Sequence, residues 1–143
     1  MRVGEIMTRG AECTYPDATV REAAVRMQAL DVGVLPVRDN DRLVGMLTDR
    51  DLTIRTTAAG ADPNAAHVRD AMTPEVHFCY EDQEASAAAR QMKDWQVRRL
   101  PVLDRSMRVV GVISLGDLAV ETRDDRLAGN TLEAIAEPAR PNR

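Results

Sequence analysis

The chain has 143 residues, 44% of them hydrophobic, 29% charged and only 3% aromatic, with a formal net charge of −4. That composition fits a globular protein whose core is Val, Leu, Ala and Met. The acidic balance excludes a dedicated nucleic-acid binder, which needs a basic footprint to release counterions. No apolar run has membrane-spanning length and no signal-peptide pattern opens the chain, so a cytoplasmic protein that avoids the membrane is expected.

In chain order, a short helical piece is expected over Val3 to Met7 and an extended stretch over Ala11 to Tyr15. Val20, Ala23, Ala24, Met27 and Leu30 then recur at helical spacing, opened by the capping-box pair Thr19 and Glu22. The stripe predicts a helix with one face in the core. Two apolar runs, Val34 to Val37 and Leu43 to Leu47, read as buried strands, followed by a helix over Asp49 to Ala59. Ala58 to Ala66, with Gly60 and Asp62-Pro63-Asn64, reads as a linker. The same signals then return. A helical piece is expected over Val68 to Met72 and an extended stretch over Val76 to Tyr80. Next come an apolar helical stripe (Ala85, Ala88, Ala89, Met92, Trp95), strands over Leu100 to Leu103 and Val109 to Ile113, and a helix over Leu115 to Glu121. Past Asp124 the pattern is lost. One or two helical turns are expected over Thr131 to Ala136, and Pro138 to Arg143 should fray.

The chain is therefore a duplication. Val3 to Leu52 lies on Val68 to Leu118 with one single-residue insertion. Met7-Thr8 falls on Met72-Thr73, Leu35-Pro36-Val37 on Leu100-Pro101-Val102, and Gly45-Met46-Leu47-Thr48-x-x-Asp51 on Gly111-Val112-Ile113-Ser114-x-x-Asp117. The expected organisation is a first repeat at 1–60, a linker at 61–67, a second repeat at 68–123 and a tail at 124–143. Each repeat reads β-α-β-β-α, in the α+β class. A unit of about 60 residues alone is marginally stable, so the repeats are expected to pack closely. Pro36 and Pro101 sit inside strands, where proline is tolerated only at an edge or an irregular point, so each strand is expected to start against an open cleft.

The feature that carries chemistry is Gly-h-h-(Thr/Ser)-x-x-Asp at a strand-to-helix junction, present twice. One reading is a helix cap: Thr48 or Ser114 at the N-cap, with Asp51 or Asp117 three residues on. The other is a ligand site. Gly45 or Gly111 allows close backbone approach, and free N–H groups there favour an anion. A carboxylate repels phosphate but accepts hydrogen bonds from a pair of sugar hydroxyls, so the set suits a ribonucleotide. Arg98 and Arg99 are the best phosphate partners. The first repeat has Gly33-Val34 at those positions, and Asp49-Arg50 where the second has Leu115-Gly116, so the two sites cannot be equivalent and selectivity between them is expected at these positions.

These residues resemble the cystathionine-β-synthase-type (CBS) domain pair, also called a Bateman module, over about Val3 to Arg123. The Met-Thr entry, the Leu-Pro-Val strand and the closing Gly-h-h-(Thr/Ser)-x-x-Asp motif carry the resemblance. The first closing motif and the Ala59 to Asn64 linker look like small stand-alone CBS pairs of the hypoxic-response type. The resemblance implies two CBS repeats packed about a pseudo-two-fold axis, with clefts that take adenosine ligands. Those would be AMP, ADP or ATP, with NAD and S-adenosylmethionine as further candidates. By similarity Asp51 or Asp117 would hold the ribose and Thr48 or Ser114 would lie near the phosphate. Ala11, Cys13, Val34, Leu35 and Pro36, and in the second repeat Val76, Phe78, Arg99, Leu100 and Pro101, would line the base and phosphate regions. The family also implies a homodimer and an unidentified regulated protein partner.

Weaker signals point elsewhere and carry less. His77 and Cys79 alternate on a strand and could face one way, but the only other histidine is His67, so no metal site is expected. Cys13 and Cys79 lie in no C-x-x-C pair and read as free thiols. Ser114 has no readable base partner, and Asp49/Asp51 and Asp124/Asp125 read as helix-end and surface charge rather than acid–base pairs. The expectation is a non-enzymatic regulatory module with no catalytic cofactor. The alternative is a ligand-free dimeric scaffold with vestigial clefts.

Overall fold

The computed structural model describes residues 1–10, 12–74, 76–121 and 125–136. In chain order the elements are α1 (Val3–Ile6), β1 (Thr8–Arg9), α2 (Val20–Leu30), β2 (Val34–Asp39), β3 (Arg42–Thr48) and α3 (Asp49–Leu52), the last continued by a π-helical turn (Thr53–Thr57). There follow α4 (Val68–Ala71), β4 (Cys79–Tyr80), α5 (Ala85–Trp95), β5 (Arg99–Leu103), β6 (Val109–Ser114), α6 (Leu115–Glu121) and α7 (Asp125–Ala136).

The compact units of the fold are not cut where the duplication is cut. One unit holds Met1–Gly10, His77–Ser106 and the chain from Val110 onward; the other holds the chain up to Val76 together with Met107–Val109. Each unit therefore contains the strands and long helix of one repeat and the short entry helix of the other. They are called here the second-repeat unit and the first-repeat unit.

In the second-repeat unit the sheet order is β1-β6-β5-β4. β1 runs antiparallel to β6 (Thr8 opposite Val112, Arg9 opposite Gly111), and β4 runs parallel to β5 (Cys79 opposite Val102, Tyr80 opposite Leu103). The core joins Val3 and Ile6 of α1 to Ala88, Ala89 and Met92 of α5, to Leu100 and Val102 of β5, and to Ile113 and Leu118. In the first-repeat unit β2 and β3 form an antiparallel hairpin, with a register irregularity between Val37 and Arg38. Single bridges flank it, Met46 to Thr73 on one side and Thr14 to Val37 on the other. The order Thr73, β3, β2, Thr14 thus copies the larger sheet in reduced form. Its core joins Val20, Ala23 and Met27 to Leu35, Val37 and Leu47, with Val68 and Ala71 supplied by α4.

The two motif glycines have a structural role inside these sheets. A Cβ at Gly111 would stand 2.6 Å from the Thr8 carbonyl oxygen and 2.7 Å from Met7 Sδ. A Cβ at Gly45 would stand 2.8 Å from Met72 Sδ and 2.9 Å from the Thr73 carbonyl oxygen. The Met-Thr entry and the closing glycine are therefore two halves of one contact, made between copies: the first repeat's Met7-Thr8 covers the second repeat's glycine, and the reverse. What approaches these glycines is protein backbone, which corrects their reading as ligand-facing positions.

Other expectations change in the same way. Of the strand expected over Ala11 to Tyr15, the described residues 12–15 form one bridge, in which Thr14 donates its N–H to the Pro36 carbonyl (2.9 Å) and its carbonyl accepts from the Arg38 N–H (3.0 Å). Pro36 has no N–H to extend that pairing backwards. The strand expected over Val76 to Tyr80 keeps only Cys79–Tyr80. Pro101 is not on an edge strand, since β5 has β6 on one side and β4 on the other. It precedes Val102, where the parallel pairing begins.

On α2, Val20, Ala23 and Met27 are buried, but Ala24 and Leu30 face solvent. On α5, Ala85, Ala88 and Met92 are buried like their α2 counterparts, and Ala89 is buried where Ala24 is exposed; α7 packs against α5, and the first-repeat unit has no counterpart to α7 among the described residues. The capping box of Thr19 and Glu22 forms as expected, with both hydrogen bonds at 3.1 Å. The one or two turns expected near Thr131 belong to a 12-residue helix, Asp125–Ala136. The expected fraying of Pro138 to Arg143 concerns positions outside the described residues.

Candidate functional site

Both closing motifs form reciprocal caps. Ser114 Oγ accepts from the Asp117 N–H (3.0 Å), while Asp117 Oδ2 accepts from the Ser114 N–H (2.8 Å). Thr48 and Asp51 repeat the arrangement, with both distances at 3.0 Å. The capping reading is thus realised in each copy, with Asp in the place usually taken by Glu. It does not use up the chemistry. In the cap each hydroxyl acts as an acceptor and each carboxylate uses Oδ2, so among the described residues the O–H donor and Oδ1 are not consumed by the cap. The caps hold one donor and one acceptor per motif in a fixed geometry.

The second-repeat unit places a cleft of about 540 Å³ beside its motif, lined among the described residues by Arg98, Arg99, Ser114, Leu115, Gly116, Ala119, Gly129 and Leu132. Three expected residues, Arg98, Arg99 and Ser114, meet here. Asp117 is not on the wall; it lies half-buried as the cap partner of Ser114. Arg98 is tied to the motif through its backbone, its carbonyl accepting from the Leu115 N–H at 2.9 Å. Both arginine side chains are exposed. Sequence reasoning did not assign Leu115, Gly116 and Ala119 of α6 or Gly129 and Leu132 of α7 to a site. Ala119 could have been found from its spacing, since it lies one turn from both Leu115 and Gly116. Gly129 and Leu132 lie beyond the duplication, where no second copy exists for comparison.

The first-repeat unit builds the same backbone contact with different side chains. The Asp49 N–H donates to the Gly33 carbonyl at 2.9 Å, as Leu115 does to Arg98. A Cβ at Gly33 would stand 3.0 Å from Asp49 Oδ2, and Asp49 Oδ1 accepts from the Arg50 N–H at 2.8 Å. The carboxylate therefore fills the space over position 33. Arg50 is exposed beside it.

The remaining expected site residues divide by burial. Leu35 and Leu100 are each 1% exposed and belong to the two hydrophobic cores, so their side chains are committed to packing. Pro36, Pro101 and Cys13 are also buried, whereas Val34, Val76 and Phe78 are half-buried. Ala11 lies outside the described residues, as does Asp124 of the Asp124/Asp125 pair. Phe78 meets Tyr80 edge-on, with ring centroids 5.5 Å apart.

His77 and Cys79 do not share a setting. His77 is exposed and stacks on Trp95 (centroids 4.3 Å apart, planes 16° apart), while Cys79 is fully buried with its Sγ 4.0 Å from the Pro101 carbonyl oxygen. Burial lifts the Cys79 thiol from 9.0 to about 12, which makes it an inert packing group. Cys13 is raised too, by burial first, with Arg38 acting against it. Among the described residues no three His, Cys, Asp or Glu side chains gather to hold a metal ion, and no helix is long and apolar enough to cross a membrane.

Comparison with known proteins identifies the family. The CBS domain model matches twice, at residues 3–55 and 68–123. The CBS domain-containing protein YhcV of Bacillus subtilis is 37% identical over 134 residues, covering 94% of each chain. Hypoxic response protein 1 of Mycobacterium tuberculosis is 37% identical over 116 residues, covering 80% of each chain. Among solved structures, Hypoxic Response Protein I with two coordinated zinc ions superposes with a TM-score of 0.76 at 36% identity, covering 83% of this chain and 97% of that one. CBSX2 in complex with AMP superposes with a TM-score of 0.76 at 26% identity, covering 87% of this chain and 98% of that one. The protein belongs to the CBS domain family and carries two CBS repeats.

Proposed function

We propose that the protein is a non-enzymatic regulatory module that binds an adenosine nucleotide at the closing motif of a repeat. The observation that carries this function is the cleft in which Arg98, Arg99 and Ser114 meet. Two guanidinium groups supply planar, charge-assisted donors to a phosphate, and the Ser114 O–H adds a third. Asp117, held against Ser114 by the cap rather than lining the cleft, is the carboxylate acceptor proposed for a sugar hydroxyl. The similar CBSX2 structure holds AMP, which supports an adenosine ligand over other anions. The hydrogen-bond partner of Ser114 is a backbone N–H, which cannot take a proton from it, so the hydroxyl is a ligand donor rather than an activated nucleophile.

Regulation follows from linkage. A bound nucleotide shifts a conformational or assembly equilibrium only by its difference in affinity for the two states. The output would be the arrangement of modules in a homodimer, read by a protein partner in the cytoplasm. Calorimetry with AMP, ADP, ATP, NAD and S-adenosylmethionine tests the function. Binding of at least one, weakened in Asp51→Ala plus Asp117→Ala, is expected; binding of none, or undiminished binding in that variant, overturns it. A ligand-free scaffold is the second reading. It draws on the apolar residues that α2 leaves in solvent, Val25 at 52% and Leu30 at 40% exposed. Light scattering that finds a dimer indifferent to every nucleotide tested would favour it.

A further inference from the structure

The two repeats build one backbone frame and load it with opposite charge. In the second repeat the Leu115 N–H meets the Arg98 carbonyl, and in the first the Asp49 N–H meets the Gly33 carbonyl, both at 2.9 Å. Positions 98 and 33 are therefore equivalent in space as well as in sequence, and so are 115 and 49. Where the second repeat sends out a guanidinium, the first has no side chain, and the Asp49 carboxylate lies 3.0 Å from where a Cβ would begin. That carboxylate is pinned by the Arg50 N–H at 2.8 Å.

The local charges follow. The second repeat brings Arg98, Arg99 and Asp117, with neutral Leu115 and Gly116 between them. The first brings Asp49, Arg50 and Asp51, with neutral Gly33 and Val34 in place of the arginines. Arg50 offsets one carboxylate and leaves the other. One frame carries a net positive charge and the other a net negative charge. A phosphate monoester carries about −1.5 to −2 at neutral pH, so it is attracted by the first arrangement and repelled by the second.

We infer that the chain takes one phosphate-bearing ligand, in the Arg98/Arg99 cleft, and that Asp49 is the residue that keeps phosphate off the equivalent position of the first repeat. The inference rests on the nucleotide-binding function proposed above and adds which repeat binds, how many ligands bind and which group decides. Adenosine and AMP differ only by the phosphate, so the pair isolates this term.

The test is calorimetry of the full chain with each of the two ligands. AMP is expected to bind at one per chain and about tenfold or more tighter than adenosine, the worth of a charge-assisted hydrogen bond or more. Arg98→Ala plus Arg99→Ala should bring AMP down toward adenosine. Asp49→Leu plus Gly33→Arg should add a second AMP site. The Gly33 backbone is outside the left-handed region, and the nearest atoms to the new Cβ belong to the carboxylate being removed. Arg98→Gln plus Arg99→Gln, with circular dichroism on all variants, separates lost charge from lost fold. Two equal AMP sites in the unaltered chain, or AMP no tighter than adenosine, overturns the inference while leaving nucleoside binding intact. Failure of every adenosine ligand to bind overturns the function beneath it as well.

Discussion

Replacing Gly111 with alanine should separate a packing role for the motif glycine from a ligand role. The new Cβ would lie 2.6 Å from the Thr8 carbonyl oxygen, inside any ordinary contact, and 2.7 Å from Met7 Sδ. The methionine sulfur can swing away, but the carbonyl is backbone and is held in the pairing of Thr8 with Val112 and Arg9 with Gly111. Relief requires β1 to move off β6, which also strains the Gly10 N–H bond to the Val110 carbonyl (3.2 Å). Overpacking of this kind costs about 1–3 kcal/mol, and a weakened hydrogen bond adds about 1 kcal/mol. The stiffer unfolded chain returns about 0.4–1 kcal/mol. The net expectation is a loss of about 2 kcal/mol, which for a chain of this size lowers Tm by about 4–8 °C. Urea unfolding followed by circular dichroism measures it. Gly116→Ala is the matched comparison: its Cβ would meet only Ser114 Oγ, at an ordinary 3.5 Å. Alanine there should be neutral or stabilising by up to about 1 kcal/mol. If Gly111→Ala costs under about 0.5 kcal/mol, or the two variants behave alike, the packing role assigned to Gly111 is wrong.

Removing the cap acceptor with Ser114→Ala should cost about 1 kcal/mol of stability, because the Asp117 N–H loses its 3.0 Å partner; an unchanged urea midpoint would show that the cap is idle. Cys79 makes stability pH-dependent in a defined direction. Its thiol titrates near 12 in the native state against 9.0 when unperturbed, so below pH 9 both states are protonated and nothing is lost. Above pH 9 the unfolded chain releases a proton that the native chain retains, and stability falls, by about 1.4 kcal/mol at pH 10. Urea titrations at pH 8 and pH 10 should show that loss reduced in Cys79→Ala, and an identical loss in the variant would remove Cys79 as its cause.

What could be read from the sequence was whatever local spacing determines. The Thr19 to Glu22 box, the Ser114 to Asp117 and Thr48 to Asp51 caps, and the two apolar strand pairs are set by residues a few positions apart. What could not be read depended on choices that a duplication leaves degenerate. Met7-Thr8 fits Gly45 as well as Gly111 by sequence, so nothing in the pattern tells that each entry segment serves the other copy's sheet. The resemblance places the segments holding Leu35 and Leu100 along a cleft, but strands that are apolar throughout have no polar alternation to mark the inner face, and both side chains lie in the cores. Asp49 against Leu115 was legible as a difference between the copies, but its link to position 33 was not. As helix-end charge it needs no explanation, and only the carboxylate seated over Gly33 connects it to the missing arginine. α7 lay past the last repeated residue, so the wall it gives the cleft had no copy to point to it.

The most direct measurement is native mass spectrometry of the full chain titrated with AMP, read alongside the Arg98→Ala plus Arg99→Ala variant. A nucleotide-binding module built on the second repeat predicts a mass increase of one AMP per chain that saturates at one and is strongly reduced in the variant. A chain that gains no AMP, or that gains it equally with and without the two arginines, would contradict it.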